Sequence, residues 1–578
     1  MENPQYGDDI TFPQVAGPPP AGTPIGTTES ALNGLAQRAP IRRRSPYFQA
    51  VAREPAFVLA PLEHRNCTAR GTAIHRKNTE LLRVSPASVP ASGRWFCLVF
   101  TLISRSTYNG SGLHTAAKIH VLGAGLAGSE AAWQLSRAGL GCILYEMRPV
   151  RPTQAHRTAD FAELVCSNSL KSDSPNTASW LLKHELRRLG SLAMQAAATA
   201  RVPGGHALTV DRAVFAATIT AALEGAPGVE IRREEVVQIP EDGIVLVATG
   251  PLTSGALANA IARFTGSERL YFYDSISPIV DAATIDRTRV FAASRYGKSI
   301  DGGDDYLNCP LNREQYEAFV DAVLAAESAA PHIEDDAEIH AGRVPFFEAC
   351  LPIEELARRG RETLRFGPMK PVGLVEPGSG RRAHAIVQLR QETQRADSYN
   401  LVGFQNHMTF SAQKRVLRLI PGLENAAFLR YGQMHRNTYI NAPALLTPAL
   451  QLSSDPRVFF AGQISGVEGY VESIATGLMA GRFAAALALG EPLRPLPRAT
   501  ALGSLTHYLT HADPKHYQPA NIAFDLLPGL EDELKHKLRH DRAGRHAEVC
   551  RRALAAMDEY LGQALDEALG DSLDESTG

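Results

Sequence analysis

"KIHVLGAGLAGSEAAWQLSRAGLGCILYEM", Lys118 to Met147, decides the fold. A short apolar run feeds a glycine turn. Helical spacing follows, with Ala132, Leu135 and Ala138 able to share one face. "CILYEM" reads as a second strand, so the stretch is a βαβ unit. Its turn, "GAGLAG", fits G-x-G-x-x-G over Gly123, Ala124, Gly125, Leu126, Ala127 and Gly128. Gly123 permits the tight turn, Gly125 lets backbone N–H groups approach a pyrophosphate, and Gly128 lets helix and strand pack closely. The helix N-terminus adds partial positive charge. Glu146, eighteen residues past Gly128, ends the next strand and is placed to accept hydrogen bonds from a ribose.

Working outward, two later stretches favour FAD over NAD. "VLVATGP" ends an apolar strand in Ala-Thr-Gly. "FFAGQ", Phe459 to Gln463, ends another, with Gly462 opening a glycine-rich turn before a helix. Strands that far from the first βαβ unit suit a long ligand crossing the domain, and flavoproteins with two dinucleotide folds place such a late turn near the flavin's ribityl and phosphate groups. The fold class expected is α/β: a Rossmann-like FAD-binding domain of the two-dinucleotide-fold kind, with an inserted α+β domain and a helical C-terminal region. Residues 1–115, rich in Pro, Ala, Ser and Arg and without sustained period, read as a disordered N-terminal extension. The FAD-binding domain takes residues 116–270 and 401–490, the inserted domain 271–400, and the C-terminal helices 491–578.

Lys plus Arg number 59 and Asp plus Glu 61, a formal net charge of −2, so composition gives no sign of nucleic-acid binding. Local basic clusters at 358–361, 380–382 and 535–546 each read, taken alone, as solvated faces. The longest apolar run, "WFCLVFTLI" at Trp95–Ile103, is about half a membrane span. No secretory signal opens the chain. Seven dispersed cysteines form neither a disulfide framework nor a metal site, which points to a reduced, cytoplasmic setting. Most intracellular cysteines are buried and inert, and Cys67, Cys97, Cys142, Cys309 and Cys550 keep that reading.

Beyond the glycine turn, "FAELVCSNSLKSD", "LLKHELRRLGSL", "VPFFEACLPIEELARRG", "FGPMKPVGL", "HRNTYINAP" and "FFAGQISGVEGYVESIATGLMAG" are long and unusual. With them the chain resembles the folate- and FAD-dependent tRNA (uracil-5-)-methyltransferases, from about Lys118 to the C-terminal helix. Family chains begin a few residues before the first strand, whereas this one carries more than a hundred residues ahead of it. The resemblance implies methylation of uracil C5 at tRNA position 54, in the T loop. The carbon would come from 5,10-methylenetetrahydrofolate, and the reducing equivalents from NADH or NADPH through FAD. It implies tRNA and folate as partners, without a membrane or an obligatory protein partner. It also implies a functional cysteine pair, Cys166 and Cys350. C5 of uracil is a poor nucleophile until a thiolate adds at C6. Cys350 is assigned that attack and Cys166 a second role near the flavin, with the opposite assignment left open. Basic side chains of the inserted domain and C-terminal region, Arg358, Arg359, Arg361, Arg381 and Arg382 first among them, are expected to dock the tRNA. Competing readings are a plain NAD(P)H-dependent flavin oxidoreductase, a wobble-uridine modifier of related fold, and a non-catalytic tRNA-binding module.

Overall fold

Four-residue apolar strands buried along their whole length belong in a parallel sheet covered on both faces. Ile119–Leu122, Cys142–Tyr145 and Ile244–Val247 are of this kind, each fully buried. The computed structural model describes residues 118–266, 270–300, 302–329, 351–378 and 380–574. Cys350, Cys67, Cys97, the apolar run at 95–103 and the 1–115 extension lie outside these.

The opening strand Ile119–Leu122 sits inside a six-stranded sheet. It pairs in parallel with Cys142–Tyr145 on one side and Ile244–Val247 on the other, with Val121 opposite both Leu144 and Leu246. Val229–Arg232 extends one edge. Beyond Ile244–Val247, the late strand Asp455–Phe460 joins in parallel, although two hundred residues separate the two in sequence. The helix Leu126–Arg137 follows the glycine turn and packs against the long helix Tyr470–Leu489. The two backbones meet closely: a Cβ on Gly477 would stand 2.2 Å from the Ala127 carbonyl oxygen.

A second six-stranded sheet is antiparallel, in the order Phe291–Ala292, Tyr306–Leu311, Ala385–Gln391, Ser398–Leu401, Ile279–Asp281, Phe428–Arg430. It has its own core, which includes Tyr316, Phe319 and Phe404. The sequence expectation places the return to the first unit at residue 401. In the structure, Phe404, Met408, Val416 and Ile420 are buried in this second core, and Phe428–Arg430 forms the sheet's edge. The chain thus stays with the second sheet to Arg430, because those apolar side chains pack there. A two-stranded ribbon, Leu270–Ser275 with Met434–Tyr439, runs between the two sheets in sequence on both passes.

The C-terminal part is helical: Ala501–His511, Asp532–Lys537 and Arg542–Asp574. Val549, Cys550, Ala553 and Met557 recur at helical spacing and are buried in the first core. The N-terminus of Ala501–His511 is capped from afar by Glu185, which accepts from Ala501 N and Leu502 N at 2.8 and 2.9 Å. Among the described residues, no helix is long and apolar enough to cross a membrane.

Candidate functional site

A cleft opens at the carboxyl ends of the parallel strands, where ligands bind open α/β sheets. Its cavity of about 140 Å³ is roughly ten times the volume one water needs. Of the sequence candidates, Gly123, Gly125, Leu126, Ala127, Glu146 and Gly462 line it. Ala124 and Gly128 lie buried behind the turn. Gly123 has φ +93°, and a Cβ on Gly128 would fall 1.8 Å from the Gly123 carbonyl oxygen. A Cβ on Gly125 would meet nothing within 4 Å. Gly125 is also the N-cap of its helix and offers no side-chain cap, which leaves first-turn N–H groups available to an anion. Gly462 brings the late turn onto the first, since a Cβ there would come 2.8 Å from the Ala127 Cβ. An open glycine at an uncapped helix N-terminus, with a second glycine turn against it, fits a dinucleotide diphosphate.

Glu146 is held more tightly than its place at a strand end suggests. Its Oε2 accepts from Ala124 N at 3.2 Å and from Arg148 Nη2 at 3.1 Å, and its Oε1 accepts from Arg148 N and Nε at 3.0 and 2.9 Å. Burial pushes the carboxyl up, but the Arg148 hydrogen bonds and charge outweigh it and hold the group below the usual carboxylate range. Arg148 also donates to Glu163, which accepts from Arg157 N and Thr158 N as well. His156 lines the same cleft, and burial first, then Arg148, lowers it to about 4, so its imidazole is neutral.

Cys166 stands beside the cleft, partly exposed, on a loop that distant elements clamp. Its Sγ is 3.6 Å from the Ser275 carbonyl oxygen. Cys166 N and Ser167 N both donate to the Tyr470 hydroxyl, at 2.7 and 3.1 Å, and Tyr470 lines the cleft. Arg212 donates to the Leu164 carbonyl and makes a two-point pair with Glu392 at 2.7 and 3.0 Å. Asn168 donates to the Gln391 carbonyl on the second sheet. Lys171, at φ +62°, bridges Glu472 and Asn521 at 2.7 and 2.6 Å. Burial, then Asp274, pushes the Cys166 thiol above the cysteine range, so it rests protonated. Burial and Asp274 likewise raise Glu468, whose Oε2 accepts from Gln463 at 2.7 Å. Arg430 donates to the Ala155 carbonyl at 2.8 Å; burial, then Arg212 and Arg157, lowers it to about 10. It remains charged at neutral pH.

Residues 118–492 match the family model described as glucose inhibited division protein A. A protein of Solibacter usitatus named methylenetetrahydrofolate–tRNA-(uracil-5-)-methyltransferase TrmFO is 68% identical over 442 residues, covering 76% of this chain and 98% of its own. One of Koribacter versatilis with the same name is 59% identical, covering 77% and 98%. The chain belongs to this methyltransferase family. A crystal structure of Aquifex aeolicus GidA shares the fold at TM-score 0.54 and 17% identity, covering 80% of this chain and 77% of its own.

Several residues of this site fall outside the motif reading. Tyr470 follows the tight Gly469 in an already unusual motif, so it could have been singled out. Arg148 is two residues past Glu146, within reach of the same reasoning. Asp274, Arg212 and Arg430 look like ordinary polar positions until the chain is folded. The basic clusters expected to meet RNA are largely occupied. Arg361 pairs with Glu317 and Asp321 at 2.7 and 2.6 Å, and Arg358 pairs with Glu355. Arg359 and Arg381 have partners too.

Proposed function

We propose that the chain methylates C5 of the T-loop uridine at tRNA position 54, taking its carbon from 5,10-methylenetetrahydrofolate and its electrons from NADH or NADPH. The observation carrying this reading is the 68% identity to a methyltransferase of that name across 98% of its length. FAD, when bound, supplies the carrier for the folate carbon and the hydride that completes the methyl group.

The chain's own residues divide the work. The backbone at Gly123–Ala127 and the helix N-terminus would hold the diphosphate, with the turn at Gly462 packed against Ala127 beside them. Arg148 holds the Glu146 carboxylate in one orientation at the ribose end. A cysteine thiolate, assigned to Cys350, forms an S–C bond at uracil C6; the C5–C6 electron pair moves onto the C4 carbonyl oxygen, and C5 becomes nucleophilic. Cys166, beside the cleft, is the second thiol, and it must lose its proton before it acts as a nucleophile. Asp274 and Glu468 are the carboxyl groups that bear most on it. The reaction needs no metal from this site, no membrane and no second protein, and the setting proposed is the cytoplasm.

The test is a methylation assay on unmodified tRNA with the flavin-loaded protein. Ribothymidine formed with methylenetetrahydrofolate and NAD(P)H, and none with S-adenosylmethionine, is the expected outcome. Flavin reduction by NAD(P)H without any tRNA product would instead make the chain a plain flavin oxidoreductase.

A further inference from the structure

Apart from the cleft, the described surface carries an unusual stack of rings. Tyr431 lies between Phe410 and Phe428, with ring centroids 5.6 and 5.3 Å away and interplanar angles of 24° and 22°. Phe428 packs on the second core, but the stack leads outward from it. Phe410, the first residue of the helix Phe410–Leu417, is 58% exposed, and Leu429 is 60% exposed. Phe428–Arg430 is the edge strand of the second sheet.

The same strand reaches the reaction site. Arg430 directly precedes Tyr431 and sends its guanidinium to Ala155, among the charges that bear on the Cys166 thiol. Arg157, which is exposed, adds a second cation next to Arg430. Lys414 is exposed one helical turn after Phe410, on the same face. Neither Arg157 nor Lys414 has an acidic side-chain partner among the described residues. An open aromatic face flanked by unpaired cations suits unstacked nucleotides: the ring takes a base, and the cations take phosphates. Like charge on such a rim disfavours a second copy of the chain.

We propose that Phe410, Tyr431 and Phe428, with Arg157 and Lys414, form the docking face for the unpaired nucleotides of the tRNA loop, Phe410 stacking on a base near the uridine delivered to the cleft beside Cys166. This rests on the function proposed above.

The experiment measures tRNA binding to the full-length, flavin-loaded protein over a salt series. Phe410→Ala should weaken binding about tenfold at every salt concentration, with an unchanged salt slope. Phe410→Trp should restore it. Arg157→Ala with Lys414→Ala should flatten the slope by about 1.5, the signature of two lost phosphate contacts. Flavin absorbance and melting temperature should stay at wild-type values in all of them. Wild-type affinity in Phe410→Ala overturns the docking face alone. So does a dimer that becomes a monomer in Phe410→Ala while tRNA affinity holds, which makes the face a contact between copies. Loss of flavin or of melting temperature in Phe410→Ala gives the ring a place in the fold and also overturns it. A wild-type protein that does not bind tRNA overturns the proposed function first, and this inference with it.

Discussion

The glycine turn and the Cys166 loop border one cleft, yet different things make them. The turn is shaped largely by its own atoms: a Cβ on Gly128 would fall on the Gly123 carbonyl five residues back, and Gly123 takes a positive φ. The loop is shaped by strangers. Tyr470, which binds its two backbone N–H groups, is 304 residues away, and Ser275, which faces its thiol, is 109 away. The cleft thus joins a turn built from neighbouring residues to a loop whose shape exists only when the whole chain is folded.

That contrast can be broken most sharply at the thiol. Cys166→Ala should fold, keep its flavin and lose methylation by on the order of a thousandfold or more, since no neighbouring hydroxyl replaces a thiolate. Cys350→Ala should do the same and in addition lose the covalent complex with 5-fluorouracil-containing tRNA. Near wild-type turnover in Cys166→Ala would reduce the loop to scaffolding.

Two glycines a single helical turn apart sharpen the other half. Gly128→Ala pushes a Cβ into backbone and should cost about 3 kcal/mol in urea unfolding. Gly125→Ala meets no protein atom, so flavin content should fall in the purified protein while the melting temperature of its flavin-free form matches that of the flavin-free parent. If both variants behave alike, Gly125 is a packing glycine and the diphosphate lies elsewhere.

A smaller effect separates the buried floor of the cleft from its rim. His156 is lowered from 6.5 to about 4, so the unfolded chain binds a proton in that window that the folded chain does not. Its contribution is full above pH 6.5 and is lost as pH falls towards 4. After discounting for solvent access this amounts to about 2 kcal/mol. His156→Gln should flatten stability between pH 6.5 and 4, measured by urea unfolding at several pH values. An unchanged slope would place the acid sensitivity in other groups.

Much of the fold was legible because it depends on neighbours in the chain. Glycine sterics, the apolar strand runs and the helical spacing that follows the glycine turn are local, and each element forms where its pattern stands. The place where the chain leaves the second sheet was not legible. Phe404, Met408 and Val416 form an apolar pattern that would suit either core, and only packing assigns them to the second. Glu146 shows the same limit on a smaller scale. Its position at the strand end follows from spacing, but its engagement by Arg148 depends on how one side chain turns back.

The sequence by itself determined that a glycine turn at Gly123–Gly128 opens a dinucleotide fold, and its long motifs point to the methyltransferase family, since backbone sterics and contiguous motifs are properties of neighbouring residues. Only the tertiary structure decided that Gly462 closes on Ala127, that Tyr470 and Ser275 hold Cys166, and that Arg361 spends its charge on Glu317 and Asp321 while Arg157 and Lys414 keep theirs. Hydrogen bonds and ion pairs depend on distance in space, and residues hundreds of positions apart acquire that distance only when the two sheets and the C-terminal helices pack.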